Sequence, residues 1–72
     1  MKSELFVVCL NNADYPASLE SRKLYRVVPD ADAAQLSMIR VIDESGEDYL
    51  YPAALFSPIF IPKDLQRLLL AA

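Results

Sequence analysis

The densest group of side chains able to do chemistry is Asp43, Glu44, Glu47 and Asp48, four carboxylates within six residues around Gly46. Carboxylates at such spacing are the raw material of a Ca²⁺ site or of an acid–base pair. A calcium loop wraps its oxygen ligands around one point over a longer segment, whereas Asp43 and Asp48 continue into two opposing strands. The expectation is therefore a solvated acidic hairpin, whose charges discourage edge-to-edge pairing of strands, and not a metal or catalytic centre. The one thiol, Cys9, sits inside the most apolar run of the chain, where burial raises a thiol's pKa and blunts its nucleophilicity; it reads as core. The chain has no histidine and so lacks the side chain that ordinarily moves protons near neutral pH. No set of Cys and His residues exists to hold zinc. The reading is of a protein that is not an enzyme and carries no metal or other cofactor.

Chemistry of recognition has more to work with. Seven Lys and Arg against ten Asp and Glu give a formal net charge of −3, the wrong sign for a protein drawn to phosphate backbones by its overall field. Locally, Arg22, Lys23, Arg26 and Arg40 lie on or beside two strands and form a candidate basic face, since a patch acts within a Debye length whatever the net charge. Strand Lys and Arg are ordinarily just a solvated face, so nucleic acid is the second candidate partner. Tyr25, Tyr49, Tyr51 and Phe56 form an expected aromatic cluster. Tyr49 and Tyr51 share one side of a strand: either both face the core, with Asp48 and Leu50 outside, or both join Tyr15 in an exposed binding patch.

The elements that would position these groups follow from pattern and punctuation. Leu5–Leu10 is a continuous apolar run bounded by Asn11-Asn12, as expected of a strand buried on both faces. Asn11–Leu19 is rich in turn formers and reads as an irregular loop, with one helical turn allowed at Ser18–Ser21. Lys23–Val28 is a second strand, ended by Pro29. Asp30–Ser37 opens with an N-cap candidate and reads as a helical turn or compact loop. Met38–Asp43 and Asp48–Tyr51 are the third and fourth strands, joined by Glu44–Glu47, where the chain's only glycine supplies a positive φ. Pro52 stops the fourth strand, and Pro52–Phe56 suits one tight turn. Ser57–Ile61, with Pro58 and Pro62 at its flanks, fits an edge strand. From Lys63, Leu65, Leu68, Leu69 and Ala72 recur at i, i+3, i+4 and i+7, one face of a helix over about 63–71. That face either closes the open end of its own domain or docks on another copy or a different protein.

The order strand, loop, strand, loop, strand, glycine-bearing turn, strand ending in proline, one-turn 3₁₀ helix and last strand resembles SH3-like barrels. The resemblance covers about residues 4–61 and implies a mainly β fold, a five-stranded SH3-like barrel with a 3₁₀ turn near 53–55 and a short C-terminal α-helix, all in one domain spanning 1–72. The segments from Ser18 to Val27 and Arg40 to Pro52, the latter reading RVIDESGEDYLYP, also resemble a group of small uncharacterised bacterial proteins. SH3 domains that bind proline-rich peptides line a groove with tyrosines, a tryptophan and a proline. Pro52 matches the groove proline, but the tyrosine positions fall near Leu10, Asn12 and Leu55, and tryptophan is absent. The aromatic rails that hold a polyproline helix are thus missing. SH3-like barrels of translation and transcription factors contact RNA, which is what the basic face would imply.

The expected function is a non-enzymatic protein-interaction or regulatory module. Its candidate contact residues are Tyr15, Pro52 and Leu55 on the barrel and Leu65, Leu68 and Leu69 on the helix; its partner is another protein or a second copy of itself. The alternative is an RNA- or DNA-associated barrel using Arg22, Lys23, Arg26 and Arg40. The six apolar residues Leu5–Leu10 are short for a signal-peptide core and far short of a membrane span. A cytoplasmic setting, with no membrane partner, is the expectation.

Overall fold

The computed structural model describes residues 6–71. Leu5, expected in the first strand, and Ala72, expected on the helix face, lie outside the described residues. The elements are β1 (Phe6–Cys9), β2 (Leu24–Arg26), α1 (Ala31–Gln35), β3 (Met38–Ile42), β4 (Asp48–Pro52), a 3₁₀ turn (Ala53–Leu55), β5 (Phe56–Pro58) and α2 (Lys63–Ala71). The fold is mainly β. Its five strands lie in two antiparallel sheets, β2-β1-β5 and β3-β4, and no closed barrel forms among the described residues.

β1 is the centre of its sheet, paired on one edge with β2 and on the other with β5, which is why its sequence is apolar on both faces. β2 is shorter than the predicted Lys23–Val28 because the chain changes sheets at Val27. Val27 forms an isolated bridge with Val41, and the Val28 amide donates to the Arg40 carbonyl at 2.9 Å. β5 begins one residue before the expected Ser57–Ile61 and ends earlier: beyond Pro58 only the Ile59 amide still reaches β1, at 3.4 Å from the Phe6 carbonyl. As predicted, β5 is an edge strand.

Local chemistry accounts for the connections. Asp30 caps α1 by accepting from the Ala33 amide at 3.0 Å, satisfying one of the free donors of the first turn. Gly46 closes the β3–β4 hairpin at φ +86°, a conformation in which a Cβ would be strained. No helical turn forms at Ser18–Ser21. The turn lies earlier, because the amides of Ser18 and Leu19 both donate to the Tyr15 carbonyl, at 3.1 and 3.0 Å.

The central core is Val7, Cys9, Leu19, Tyr25, Val41, Tyr51 and Phe56. Leu19 comes from the long loop, yet it is 1% exposed. Its carbonyl accepts from the Asn12 amide side chain at 2.9 Å, and the neighbouring Ser18 carbonyl accepts from the Glu44 amide at 3.0 Å. The loop is therefore a wall of the core pinned at both sides. Cys9 has no exposed surface, consistent with its reading as core.

Leu19→Ala tests this directly. The expected cost is about 2–5 kcal/mol, a large share of the stability available to a domain that buries only roughly 60–65% of its unfolded surface. Urea denaturation should show the midpoint falling at unchanged m-value; a loss below about 1 kcal/mol would mean the loop is not part of the core.

Candidate functional site

The β3–β4 hairpin is not the uniformly solvated acidic turn that its sequence suggests. Glu44 and Glu47 are on the surface, but Asp43 is only 6% exposed. Its Oδ1 accepts from the Ser45 amide at 2.9 Å and the Ser45 hydroxyl at 2.6 Å, an Asx turn that shapes the loop. Its Oδ2 accepts from the Tyr51 hydroxyl at 2.6 Å. Burial pushes the Asp43 carboxyl up, but the bonds from the Ser45 hydroxyl, the Tyr51 hydroxyl and the Ser45 amide outweigh it and hold the carboxyl below its ordinary value. The Tyr51 hydroxyl is raised in turn, by burial and then by Asp43.

Glu44 organises a second cluster. It accepts from the Tyr25 hydroxyl and from the Lys23 ammonium at 2.7 Å. Bonds from Lys23 and Tyr25 hold its carboxyl below the usual range. Burial first, and Glu44 next, drive the Tyr25 hydroxyl well above the normal tyrosine range. That hydroxyl also accepts from the Glu20 amide at 2.7 Å, so one phenol joins β2, the long loop and the hairpin.

Only one of the two β4 tyrosines is core. Tyr51 is 4% exposed and meets Tyr15 edge-on at 4.9 Å and Phe56 at 6.2 Å; Tyr25 completes the cluster through Phe56 at 6.3 Å. Tyr49 is 50% exposed. It stands opposite Val41, which itself bridges to Val27, and no other described strand pairs with β4. Between the long loop and the hairpin lies a cleft of about 340 Å³ whose lining includes Tyr15, Ser18, Asp43, Ser45, Tyr49 and Tyr51.

The candidate contact residues fall on separate surfaces. Tyr15 lines the cleft, while Leu55 is packed against the core and Pro52 stands opposite Met38 in the β3–β4 ladder; neither joins Tyr15 in a groove. Leu65, Leu68 and Leu69 are 45%, 70% and 37% exposed, and α2 is not closely packed on any other described element. Of the basic set, Lys23 is held by Glu44, and Arg40 by Asp30 at 3.0 Å and Asp48 at 3.4 Å. Arg22, at φ +66° in the turn entering β2, and Arg26 make no ion pair with a described residue. Among the described residues, no group of three or more His, Cys, Asp or Glu is placed to hold a metal ion.

Asp43 as a buried carboxylate is the part that the sequence reading missed. The one signal available was Asp43-x-Ser45-Gly46, the composition of an Asx turn; nothing local reports that Tyr51 reaches it from the other strand. No protein-family profile, curated protein or solved structure matches the chain.

Tyr51→Phe removes one donor from Asp43 and little else. At neutral pH the expected cost is about 1.5–3 kcal/mol, that of a hydrogen bond to a charged group. A carboxyl held low in the fold stabilises it above the unfolded pKa, and that contribution fades as pH falls through the folded value. The variant's Asp43 should titrate higher, so its acid unfolding should begin at higher pH, with the gap to the parent shrinking in acid. Denaturant melts across pH 2–7 with no displacement of the acid limb would sink the assignment.

Proposed function

We propose that this chain is a non-enzymatic protein-interaction or regulatory module on an SH3-like barrel, with the outer face of α2 as its contact. The barrel reading is supported by strand order. β5-β1-β2 continues through the Val27–Val41 bridge into β3 and β4, and a glycine-bearing hairpin and a 3₁₀ turn precede the last strand, the sequence of parts that SH3-like barrels have. A cytoplasmic setting goes with this reading, since the lone thiol of Cys9 has no partner for an internal disulfide.

The observation that carries the interaction reading is the apolar surface at the C-terminal end. Phe60 is 90% exposed, and Leu65, Leu68, Leu69 and Leu70 are all more than a third exposed. A helix of nine residues is too short to be stable in water on propensity alone and depends on packing of its apolar face. Exposed leucines on a short helix, with an exposed phenylalanine shortly before its start, are the kind of apolar surface that a folded partner covers, by the mode in which an amphipathic helix enters an apolar groove. The partner is another protein; a second copy is the simplest form of it.

The nucleic-acid alternative has less support. Two of its four basic residues, Lys23 and Arg40, already neutralise carboxylates of the same chain, which lowers the number of phosphates the face would engage.

Full-length chain and its Leu68→Glu variant distinguish these readings. Because Leu68 is 70% exposed, the variant should keep its stability within about 0.5 kcal/mol. Sedimentation equilibrium of both, and capture from cell extract on both, should show an association made by the parent and lost by the variant. Retention of the same partners by both, or salt-labile nucleic acid on both, would overturn the assignment to α2.

A further inference from the structure

The carboxylates of the hairpin divide into two kinds. Glu44 is matched by Lys23 and Asp48 by Arg40. Asp43, although buried, has only neutral donors: the Ser45 amide and hydroxyl and the Tyr51 hydroxyl. No Lys or Arg of the described residues is within ion-pair distance of it, nor of Glu47. These donors take three of the roughly four acceptor positions of a carboxylate and leave its charge uncompensated. Glu47 does not line the cleft but adjoins it, its Oε1 accepting from the hydroxyl of the lining Tyr49 at 3.4 Å. One unmatched negative charge therefore lies in the wall of the cleft between the long loop and the hairpin, and a second lies next to that wall.

The walls of that cleft are aromatic. Tyr15, Tyr49 and Tyr51 line it together with Asp43. The Tyr15 and Tyr51 rings are fixed edge-on to each other at an interplanar angle of 89°, and Tyr49 is half-exposed. A hard metal ion needs several oxygen ligands around one point, which rings do not supply. A weakly hydrated organic cation is attracted both to ring faces and to a nearby carboxylate. At about 340 Å³ the cleft is at the small end of ligand pockets, which run roughly 300–1,000 Å³, and suits one cationic head group.

We propose that the cleft lined by Tyr15, Tyr49, Tyr51 and Asp43, with Glu47 beside it, binds an organic cation, the ammonium, methylated ammonium or guanidinium group of a small molecule or of a basic side chain. The site is separate from α2, so it stands or falls independently of the interaction surface there. Asp43 supplies charge in the lining, Tyr15 and Tyr49 supply ring surface, and Glu47, bonded to Tyr49, raises the local cation concentration.

The experiment is an amide-resolved NMR titration of the full chain with tetramethylammonium chloride, capped trimethyllysine, capped lysine and capped arginine, each against sodium chloride at equal ionic strength. Saturable shifts confined to residues around Tyr15, Ser45 and Tyr49, absent with sodium, are expected. Tyr49→Leu should weaken binding about two- to fivefold, the contribution of one partly exposed ring, and Asp43→Asn about tenfold or more through loss of the nearest charge. Because Asp43→Asn also removes a buried charged acceptor, Glu47→Gln, at an exposed position beside the cleft, serves as the variant that leaves the fold intact, and it should weaken binding with its spectrum otherwise unchanged. Tighter binding of a capped amino acid than of tetramethylammonium identifies a basic side chain as the natural source of the cation; equal binding identifies a free amine. Shifts reproduced by sodium chloride, or binding undiminished in both Tyr49→Leu and Glu47→Gln, would overturn the proposal.

Discussion

Two tyrosine rings fill the centre of this small core, and a buried ring with a polar tip must find a partner for its hydroxyl. Tyr25 and Tyr51 find theirs on adjacent residues of the same hairpin: Tyr25 donates to Glu44 and Tyr51 to Asp43. This requirement holds the rest together. It ties β2 and β4 to one corner, and through the Glu20 amide on Tyr25 and the Glu44 amide on the Ser18 carbonyl it brings the long first loop onto the same point. The loop then places Leu19 into the core and Tyr15 against Tyr51. A chain with one cysteine and no disulfide thus obtains by hydrogen bonding the closure that a covalent staple would otherwise give.

The same corner concentrates the electrostatics. Seven basic side chains face ten acidic ones, and two of the basic ones serve inside the molecule: Lys23 beside Glu44, and Arg40 between the Asp30 cap of α1 and Asp48 of β4. Arg40 in particular fastens a five-residue helix to the strand pair, a role that its charge alone does not announce. With those cations engaged, Asp43 and Glu47 have no described cationic partner, and Tyr15, Tyr49 and Tyr51 lie next to them. The groups that satisfy the core's hydroxyls are themselves charged, so the fold and the charge of this corner are coupled.

At the opposite end of the chain the balance is different. Ile61 is buried and its carbonyl accepts from the Gln66 amide side chain at 2.8 Å, so the start of α2 is anchored while its leucines stay exposed. A short helix whose leucines stay more than a third exposed is stabilised by a partner that covers them. Association would therefore raise the stability of the whole chain as well as fill the surface.

The residues by themselves determined the elements. β1 was legible as an unbroken apolar run, the hairpin from Gly46, the end of β4 from Pro52, a tight turn after it from its length, and α2 from the spacing of Leu65, Leu68 and Leu69. Each of these rests on a short-range rule: periodicity, a fixed φ, or a missing amide. Tertiary structure decided what depends on long-range partners. Tyr49 and Tyr51 share one face of one strand, yet only Tyr51 is buried, because the loop bearing Tyr15 covers it and leaves Tyr49 half-exposed. Asp43 and Glu47 bracket the same turn, yet one is a buried acceptor because a hydroxyl eight residues away in sequence reaches it. Whether α2 would close its own domain was likewise undetermined by its pattern, since an apolar stripe specifies that a surface is needed and not which one.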